Sequence, residues 1–356
     1  IVDHLLAEGH EVRVLDNLEQ PTHPAGKPVN LPPGVEFLQG DVRNTDDLVR
    51  ALAGVDVVFH EAATGGFTPE ITKYIDNNIT GTARLLEVIR DRKYPIAKII
   101  VASSMGVYGE GKYECLEHGV IYPKLRFPEQ LAKRRWEVEC PSCGAAMAPL
   151  PVDEETPTRP ERAYSISKLA QERLVLSAGL EFGIPAVALR YFLTYGPRQS
   201  LLNPYTGICS IFSTMILSGA APVIFEDGQQ TRDFVFVDDV ARANLLVMKD
   251  DRADHEVFNV SSGQAVTVGG LCRRLEEQYG RAVEPRRDGE YRLGDVRHMS
   301  ASIDKLKQLG FQPQVSFDEG ISRYAEWIAS KGEMKEYFSV VEARLRETGL
   351  IRSLAT

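Results

Sequence analysis

Tyr164 and Lys168 lie four residues apart in the segment Tyr-Ser-Ile-Ser-Lys. On a helix this spacing places a phenol and an ammonium group on one face, a single turn apart. A tyrosine with its reference pKa of about 10 is a poor base at neutral pH, but a neighbouring cation favours its phenolate. Such a pair could take a proton from a hydroxyl group while hydride leaves the same carbon. The spacing alone is a weak signal, because both residue types are common on solvated helix faces.

Two serines follow an apolar run that is long enough for a buried strand. Ser103 and Ser104 come directly after Ala97–Ala102 and precede Val107-Tyr-Gly109. A hydroxyl at the carboxyl end of a strand can hydrogen-bond an oxygen on which charge develops. The alternative is that these serines only form a turn.

The elements that would position these residues alternate between strands and helices. Apolar runs of strand length alternate with helical patterns, which predicts an α/β fold with a Rossmann-like, doubly wound parallel sheet. Such sheets bind ligands at the carboxyl ends of their strands. The predicted strands are Glu11–Leu15, Val55–Phe59, Ala97–Ala102 and Ala186–Tyr191, and the predicted helices are Asp76–Arg92 and Ala163–Phe182.

Asp16 and Asn17 end the first predicted strand. An acidic residue there can bond both ribose hydroxyls of a dinucleotide and repel a 2′-phosphate, which favours NAD over NADP. A turn-forming aspartate is the alternative. Residues 1–9 resemble the helix that follows the glycine-rich turn of a dinucleotide fold. We therefore expect the first strand and its glycine-rich turn to be missing from the given residues.

In order and spacing, these residues resemble the extended short-chain dehydrogenase/reductases that modify nucleotide sugars. The resemblance covers nearly the whole chain and is greatest to the UDP-glucose 4-epimerase branch. Within that branch, the segment 197–207 and the insert described below resemble bacterial dTDP-L-rhamnose 4-epimerase-like proteins. The matching positions are Asp16, Asp41, His60, Ser104, Tyr164, Lys168, Arg190–Phe192, Tyr195–Arg198 and Asp227–Val235.

The resemblance implies a set of binding residues. Ser104 matches the catalytic serine of the family, and Arg232 and Arg292 match its two diphosphate clamps, for which the guanidinium fork is suited. Leu193 stands where the family usually has an asparagine that touches the diphosphate. The implied substrate contacts are Ser104, Arg198, Arg232 and Arg292. The implied NAD contacts are Asp16, Asn17, Asp41, Val42, His60, Ala62, Ala63, Asn77, Tyr164, Lys168, Tyr191 and Phe192.

Some of these assignments have simpler alternatives. Asn77 could equally be the cap of the helix that it opens, and either clamp arginine could pair with a surface carboxylate. Family members that dehydrate or decarboxylate the sugar carry an acid between the serine or threonine and Val-Tyr-Gly, whereas this chain has Met105 and Gly106. The resemblance therefore implies a 4-epimerase that acts on a UDP- or dTDP-linked sugar. The alternatives are a 4-ketoreductase, dehydrogenase or dehydratase of the family, and a non-catalytic NAD-binding protein.

About sixty residues separate Ser104 from Tyr164, where simple epimerases have less than half that number. This insert contains Cys115-x-x-His118 and Cys140-x-x-Cys143. Two close-spaced pairs separated by a loop are typical of a closed, tetrahedral zinc site, which predicts a zinc ribbon without a catalytic role. Redox chemistry by the second pair is the alternative. Cys209 and Cys272 lie in apolar surroundings and are predicted core residues.

Composition and length limit the remaining possibilities. A net charge of −9 argues against a nucleic-acid surface, and no apolar run is long enough to cross a membrane. An odd number of cysteines, five, predicts reduced thiols and a cytoplasmic setting. The family implies a homodimer. We expect an NAD-binding domain at 1–193 with the metal insert at 110–150, a substrate lobe at 194–330 from which 233–258 returns to the first domain, and a helical extension at 331–356.

Overall fold

The computed structural model describes the chain except residues 21, 24, 25, 27–30, 67, 69, 202–206, 333–337 and 354–356. The described strands are β1 (Arg13–Asp16), β2 (Glu36–Gln39), β3 (Val57–His60), β4 (Lys98–Ser104), β5 (Lys112–Cys115), β6 (Gly119–Ile121), β7 (Ala148–Leu150), β8 (Ala186–Tyr191), β9 (Leu193–Tyr195), β10 (Thr231–Phe236), β11 (Val257–Val260), β12 (Ala265–Thr267), β13 (Tyr291–Arg292), β14 (His298–Met299) and β15 (Ile351–Arg352).

The described helices are α1 (Val2–Ala7), α2 (Thr45–Leu52), α3 (Ile71–Lys73), α4 (Gly81–Arg92), α5 (Pro128–Leu131), α6 (Ala163–Phe182), α7 (Ile208–Ser218), α8 (Val237–Lys249), α9 (Val268–Tyr279), α10 (Asp304–Gln308), α11 (Phe317–Ala329) and α12 (Phe338–Glu347). A π-helical stretch, Tyr74–Thr80, joins α3 to α4, and a 3₁₀ turn, Met105–Tyr108, follows β4. None of the helices that the structure describes has the length and apolar character needed to cross a membrane.

Four parallel strands form the main sheet, in the order β11-β8-β4-β3. Strand β4 is buried at every position and β8 at all but its last, as is typical of parallel strands that are covered on both faces. Strands β1 and β2 pair in parallel as a separate two-stranded sheet. The Rossmann-like parallel sheet predicted from the sequence is therefore present.

Helix α6 carries the Tyr-x-x-x-Lys segment and has the predicted bounds. It contains three alanines and four leucines, which are good helix formers. It ends at Gly183, whose φ of +66° is a left-handed cap. The helix packs against β4 and the π-helical stretch. This packing brings the start of α6 next to the carboxyl end of β4.

A second sheet is built around β10, which pairs with β9 and β14 in parallel and with β12 in antiparallel fashion. Strand β10 contains the start of the segment 233–258, which the sequence predicts to return to the first domain, and it pairs within this second sheet and not within the main sheet. Strand β9 follows β8 almost directly and offers its edge to β10, so that β10 stays in the second sheet. The returning strand is instead β11, which pairs with β8 from Val257 to Val260.

A second apolar core lies among β10, α7, α9 and α11. Cys209 and Cys272 are buried in it, as predicted. Burial raises the pKa of the Cys272 thiol to about 12, so this thiol stays protonated at neutral pH.

The insert forms a small antiparallel sheet of its own, in the order β6-β5-β7. The chain enters it through Gly109, whose φ is +66°. A Cβ at this position would collide with the carbonyl oxygen of Arg159. The turn between the catalytic strand and the insert therefore requires glycine.

Candidate active site

Ser104 and Tyr164 are hydrogen-bonded neighbours in a cavity of about 520 Å³, the first of two at the edge of the sheet. Ser104 is the last residue of β4, and Tyr164 lies in the first turn of α6. Burial raises the pKa of the Tyr164 phenol, while the hydrogen bond to Ser104 lowers it. The structure thus brings together the hydroxyl and the phenol that the sequence singles out.

Lys168 lies one turn after Tyr164 in the same cavity and is buried. Its Nζ donates a hydrogen bond of 2.8 Å to Oε1 of Gln171. Burial lowers the pKa of Lys168 to about 8, against the opposing effect of Glu61 and Glu172. At neutral pH the ammonium group is thus charged.

His60 lies beneath the cavity and is not among the described residues that line it. Its Nε2 is 2.7 Å from Oγ1 of Thr82 and 3.3 Å from Nε2 of Gln171. Burial, followed by the charge of Lys168, lowers the pKa of His60 to about 3. His60 is therefore a neutral support for Gln171, although the sequence assigns it a direct cofactor contact.

A buried ion pair contacts the carboxyl end of β4. Arg190 donates to both carboxylate oxygens of Glu172, at 3.0 and 2.7 Å, and Ser103 donates to the same carboxylate at 2.7 Å. The hydroxyl of Tyr108 accepts a bond from Arg190 and donates one to Asn259. Ser103 thus belongs to a structural network, whereas Ser104 is the serine that hydrogen-bonds Tyr164.

Asn78 is a supporting residue that the sequence reasoning misses. It is fully buried in the π-helical stretch. Its Nδ2 donates to Oγ of Ser167 at 2.8 Å and to the carbonyl of Thr64 at 3.0 Å, and its Oδ1 accepts from the Thr64 amide. Asn78 thereby joins the turn after β3 to the catalytic helix. Its position next to Asn77 in a polar helix is the only signal in the sequence.

Two arginines converge on one carboxylate at the other side of the cavity. NH2 of Arg232 lies 2.9 Å from Oδ1 of Asp295, and NH2 of Arg292 lies 2.6 Å from Oδ2. The charges of Arg292 and Arg232 outweigh burial and hold the pKa of Asp295 well below its usual range. The two sequence-predicted clamps therefore lie together in the cavity that contains Tyr164. Leu193 also lines this cavity.

A second cavity, of about 800 Å³, lies at the carboxyl ends of β1, β2 and β3. Within it, the Asp41 carboxylate accepts bonds from Arg43 and Asn17, and the bond from Arg43 holds the pKa of Asp41 well below its usual range. Seven of its described lining residues carry the sequence-predicted cofactor contacts: Asp16, Asn17, Asp41, Val42, Ala62, Ala63 and Asn77. Tyr191 and Phe192 line the first cavity instead.

The donor set of the second cavity fits a dinucleotide. Its volume lies within the range of cofactor sites, and Asp16 offers a carboxylate at its wall. Oδ1 of Asn77 is buried without a hydrogen-bond partner within the part of the chain that the structure describes, and such an atom requires a bound group or water. Nδ2 of Asn77 bonds Thr64 at 2.5 Å, so that Asn77 does more than cap a helix.

The two cavities meet at Ala63, Gly65 and Val341, which line both. Val341 belongs to α12, which lies in the predicted helical extension 331–356. Arg344 of α12 pairs with Glu70 at 2.5 Å beside the second cavity. Helix α12 therefore forms part of the wall where the two cavities meet. Its amphipathic sequence pattern alone does not predict this position.

Arg198 is not among the described residues that line either cavity. It forms an ion pair with Asp3 at the surface. The structure therefore does not bring Arg198 to the other predicted substrate contacts. Part of the neighbouring segment 197–207, namely residues 202–206, lies outside the described residues.

Cys115, His118, Cys140 and Cys143 form one cluster, with all four ligand atoms within 4.8 Å of one another. Sγ of Cys115 lies 3.7 Å from Sγ of Cys143, and Nδ1 of His118 lies 3.5 and 3.6 Å from Sγ of Cys115 and Cys140. A tetrahedral zinc ion with ordinary bond lengths has S···S edges of about 3.8 Å and S···N edges of about 3.6 Å. The sulfur separation is far too long for a disulfide.

The insert also reaches the arginine clamps. Arg126 donates to both carboxylate oxygens of Glu226 at 2.9 Å and to the carbonyl of Asp295 at 3.0 Å. Glu137, three residues before Cys140, bonds Arg297 at 2.6 Å. The carbonyl of Arg297 in turn accepts a bond from Arg232. Hydrogen bonds and ion pairs thus link the insert to the segment that contains Arg232.

A Rossmann-like sheet with serine, tyrosine and lysine at its carboxyl edge, beside a dinucleotide-sized cavity, defines a short-chain dehydrogenase/reductase type of enzyme. The chain belongs to the NAD dependent epimerase/dehydratase family, whose model matches residues 1–128 and 139–261. The unmatched gap lies within the insert. The family and enzyme class predicted from the sequence are confirmed.

Relatives of the chain cover almost its whole length. It is 34% identical to dTDP-L-rhamnose 4-epimerase of Burkholderia thailandensis over 94% of this chain and 93% of that protein. The structure of Thermotoga maritima UDP-glucose 4-epimerase with UDP-glucose has a TM-score of 0.75 and 31% identity, and covers 93% of this chain and 94% of that chain. The NAD complex of Thermus thermophilus UDP-glucose 4-epimerase has a TM-score of 0.72 and 29% identity, with coverage of 92% and 94%.

Proposed function

We propose that the protein is an NAD-dependent epimerase that inverts C4 of a sugar linked to UDP or dTDP. The observation that carries this proposal is the shared cavity, which holds Ser104, Tyr164 and Lys168 on one side and Arg232 with Arg292 on the other. A general base and a diphosphate site in one cavity suit a nucleotide sugar whose hexose lies between them.

Each catalytic residue has a defined task. The Tyr164 phenolate accepts the proton of the C4 hydroxyl and returns it after the sugar has turned. Ser104 donates a hydrogen bond to the same oxygen while charge develops on it. The Lys168 ammonium stabilises the phenolate. When bound, NAD supplies the hydride acceptor and donor for C4, so that the overall reaction has no net redox change.

Epimerisation is favoured over dehydration and decarboxylation by the turn after Ser104. Its first two residues are Met105 and Gly106, which carry no acid to move a further proton. A net reductase would consume its cofactor and remains the alternative within the family. The match to the Burkholderia relative makes dTDP-L-rhamnose the first sugar to test.

We further propose that NAD binds across the second cavity and reaches the first at Tyr191 and Phe192. Asp16 would hold the adenosine ribose, which favours NAD over NADP. Asn17, Asp41 and Val42 would surround the adenine, and Ala62, Ala63 and Asn77 would face the diphosphate. The strand and glycine-rich turn expected before Ile1, the domain bounds, a homodimer and a cytoplasmic location stay predictions.

The cysteine–histidine cluster is proposed to hold a structural zinc ion. Four protein ligands at tetrahedral spacing leave no open position for a reactive water. Zinc would fix the insert, whose described apolar core is small. Metal analysis of the purified protein should give one zinc ion per chain, and metal-free protein with full stability would overturn this assignment.

The proposed activity is tested by incubating the protein with NAD and a panel of UDP- and dTDP-sugars, without NADH. We expect the 4-epimer of one sugar to form, as detected by NMR, at a constant absorbance at 340 nm. Stoichiometric consumption of NADH in a parallel reaction would instead identify a reductase. Binding of NAD without conversion of any sugar in the panel would contradict the proposal.

A further inference from the structure

Tyr74 is the first residue of the π-helical stretch Tyr74–Thr80 and is only 3% exposed. Its ring packs against the ring of Tyr164, with the two centroids 5.9 Å apart and the ring planes tilted by 57°. This distance is typical of favourable aromatic pairs. Tyr74 therefore contacts the proposed general base directly, although it is not among the described residues that line the two cavities.

The hydroxyl of Tyr74 contacts the segment that follows β3. It donates a hydrogen bond of 2.7 Å to the carbonyl oxygen of Gly66, and the carbonyl oxygen of Thr68 lies 3.3 Å away. Burial raises the pKa of Tyr74 to about 12, so that the hydroxyl remains a donor at neutral pH. Gly65 and Gly66 line the first cavity, and Gly65 also lines the second. Tyr74 thus joins the general base to the segment where the two cavities meet.

The π-helical stretch makes a second contact with α6, about one turn further along both helices. Asn78, four residues after Tyr74, donates a hydrogen bond to Ser167, three residues after Tyr164. Residues at these spacings lie on one face of a helix. π-Helical turns are rare and frequently occur at functional sites. The face that contains Tyr74 and Asn78 therefore supports the first turn of α6.

Proton transfer in the proposed reaction requires a narrowly defined position of the Tyr164 phenol oxygen, since a displacement of about 1 Å can cost about 10²-fold in rate. The hydrogen bond to Ser104 holds this oxygen, but one bond at the tip of a side chain still allows the ring to turn. The ring of Tyr74 restricts that movement. We propose that Tyr74 is a positioning residue, which holds the Tyr164 phenol in the orientation that reaches the C4 hydroxyl of the sugar. This inference rests on the proposed function.

A comparison of Tyr74→Leu with Tyr74→Phe isolates the ring contact, because both variants lose the hydroxyl and only the second keeps the ring. We expect kcat of Tyr74→Leu to be lower than that of Tyr74→Phe by about tenfold or more, at a similar KM. In the Tyr164→Phe background the same two substitutions should give kcat values within about twofold of each other, because no phenol is left to position.

Tyr94 provides the matched control. It is a partly buried tyrosine whose hydroxyl donates to the carbonyl of Val49 at 3.0 Å, and it is not among the described residues that line either cavity. Tyr94→Leu should keep the wild-type kcat. A thermal melt of each variant shows whether it is folded at the assay temperature. If Tyr74→Leu is not folded, Tyr74→Met, which has a longer and more adaptable side chain, takes its place.

The outcomes separate failure of this inference from failure of the proposed function. Wild-type protein that converts no sugar of the panel would overturn the proposed function and the role of Tyr74 together. Wild-type turnover with equal kcat in Tyr74→Leu and Tyr74→Phe would overturn the role of Tyr74 alone. A tenfold difference that persists in the Tyr164→Phe background would also overturn it, since the ring would then not act through the base.

Discussion

Nζ of Lys168 lies 2.8 Å from Oε1 of Gln171, the residue three positions later on the same helix. Gln171 is itself fixed by Thr82 and His60. The Lys168 ammonium is therefore anchored to the end of β3 and to α4 through one buried amide. This arrangement fixes the position of the Lys168 side chain, whose pKa is lowered to about 8.

The pH dependence of turnover should report this lysine. The protonated form of Lys168 stabilises the Tyr164 phenolate, so the rate should fall by up to about tenfold per pH unit as the pH rises above about 8. In Lys168→Arg the cation persists to much higher pH. We expect the alkaline limb of the kcat profile to move upward by more than one pH unit in this variant. An alkaline limb at the same pH in both proteins would assign it to another group.

Stability at mildly acidic pH should depend on His60. Its pKa is about 3 in the folded protein, below its ordinary value of 6.5. The unfolded chain therefore binds the proton first as the pH falls. The neutral His60 ring makes its full contribution to the free energy of unfolding above about pH 6.5. This contribution falls as the pH decreases toward 3, by up to about 1.4 kcal/mol per pH unit.

Denaturant titrations between pH 7 and pH 5 measure this effect. His60→Gln should lower the free energy of unfolding at pH 7 but show a shallower decline toward pH 5 than the wild type. His10, an exposed histidine, provides the control His10→Gln, which should keep the wild-type slope. Parallel slopes for all three proteins would show that His60 does not cause the pH dependence.

The buried ion pair between Glu172 and Arg190 should be costly to break. Glu172→Gln leaves Arg190 with a buried charge and without its carboxylate, which we expect to lower the free energy of unfolding by about 3–5 kcal/mol. Glu181→Gln, at an exposed site on the same helix, should change it by less than about 0.5 kcal/mol. Chemical denaturation compares the two variants. A loss below about 1 kcal/mol in Glu172→Gln would contradict the structural role of the pair.

Removal of the metal should affect the substrate site as well as the insert. Glu137 and Arg126 connect the insert to the segment that holds Arg232. We expect treatment with a chelator, or Cys140→Ser, to lower the melting temperature and to raise KM for the nucleotide sugar several-fold. Cys272→Ala removes a core thiol outside the cluster and should retain the metal. An unchanged KM in metal-free protein would show that the insert and the clamps are independent.

The positions of the proposed catalytic residues could be predicted because their signals are local. Helix α6 has the predicted bounds, since its C-terminal end is marked by Gly183, which caps it in the left-handed conformation. The predicted Ser104, Tyr164 and Lys168 therefore occupy the expected edge of the sheet. The four predicted zinc ligands are likewise two short-range pairs, and the fold brings their ligand atoms within 4.8 Å of one another.

Other features depend on contacts between distant segments and could not be predicted in this way. His60 has the expected position in the chain, but its burial against Thr82 and Gln171 is decided by helix packing. Strand β10 joined the second sheet because β9 offers an edge that the sequence does not reveal. Asp295 and Arg162, about 130 residues apart, form one charged cluster only after folding.

The most direct test of the account is the rate of 4-epimer formation by Tyr164→Phe, measured by NMR with the sugar that the wild type converts. Loss of the general base should lower kcat by about 10²–10⁴-fold, with the affinity for dTDP or UDP unchanged. Tyr195→Phe, which removes a buried hydroxyl in the second core, should keep the wild-type rate. Wild-type turnover by Tyr164→Phe would contradict the assignment of Tyr164 as the base.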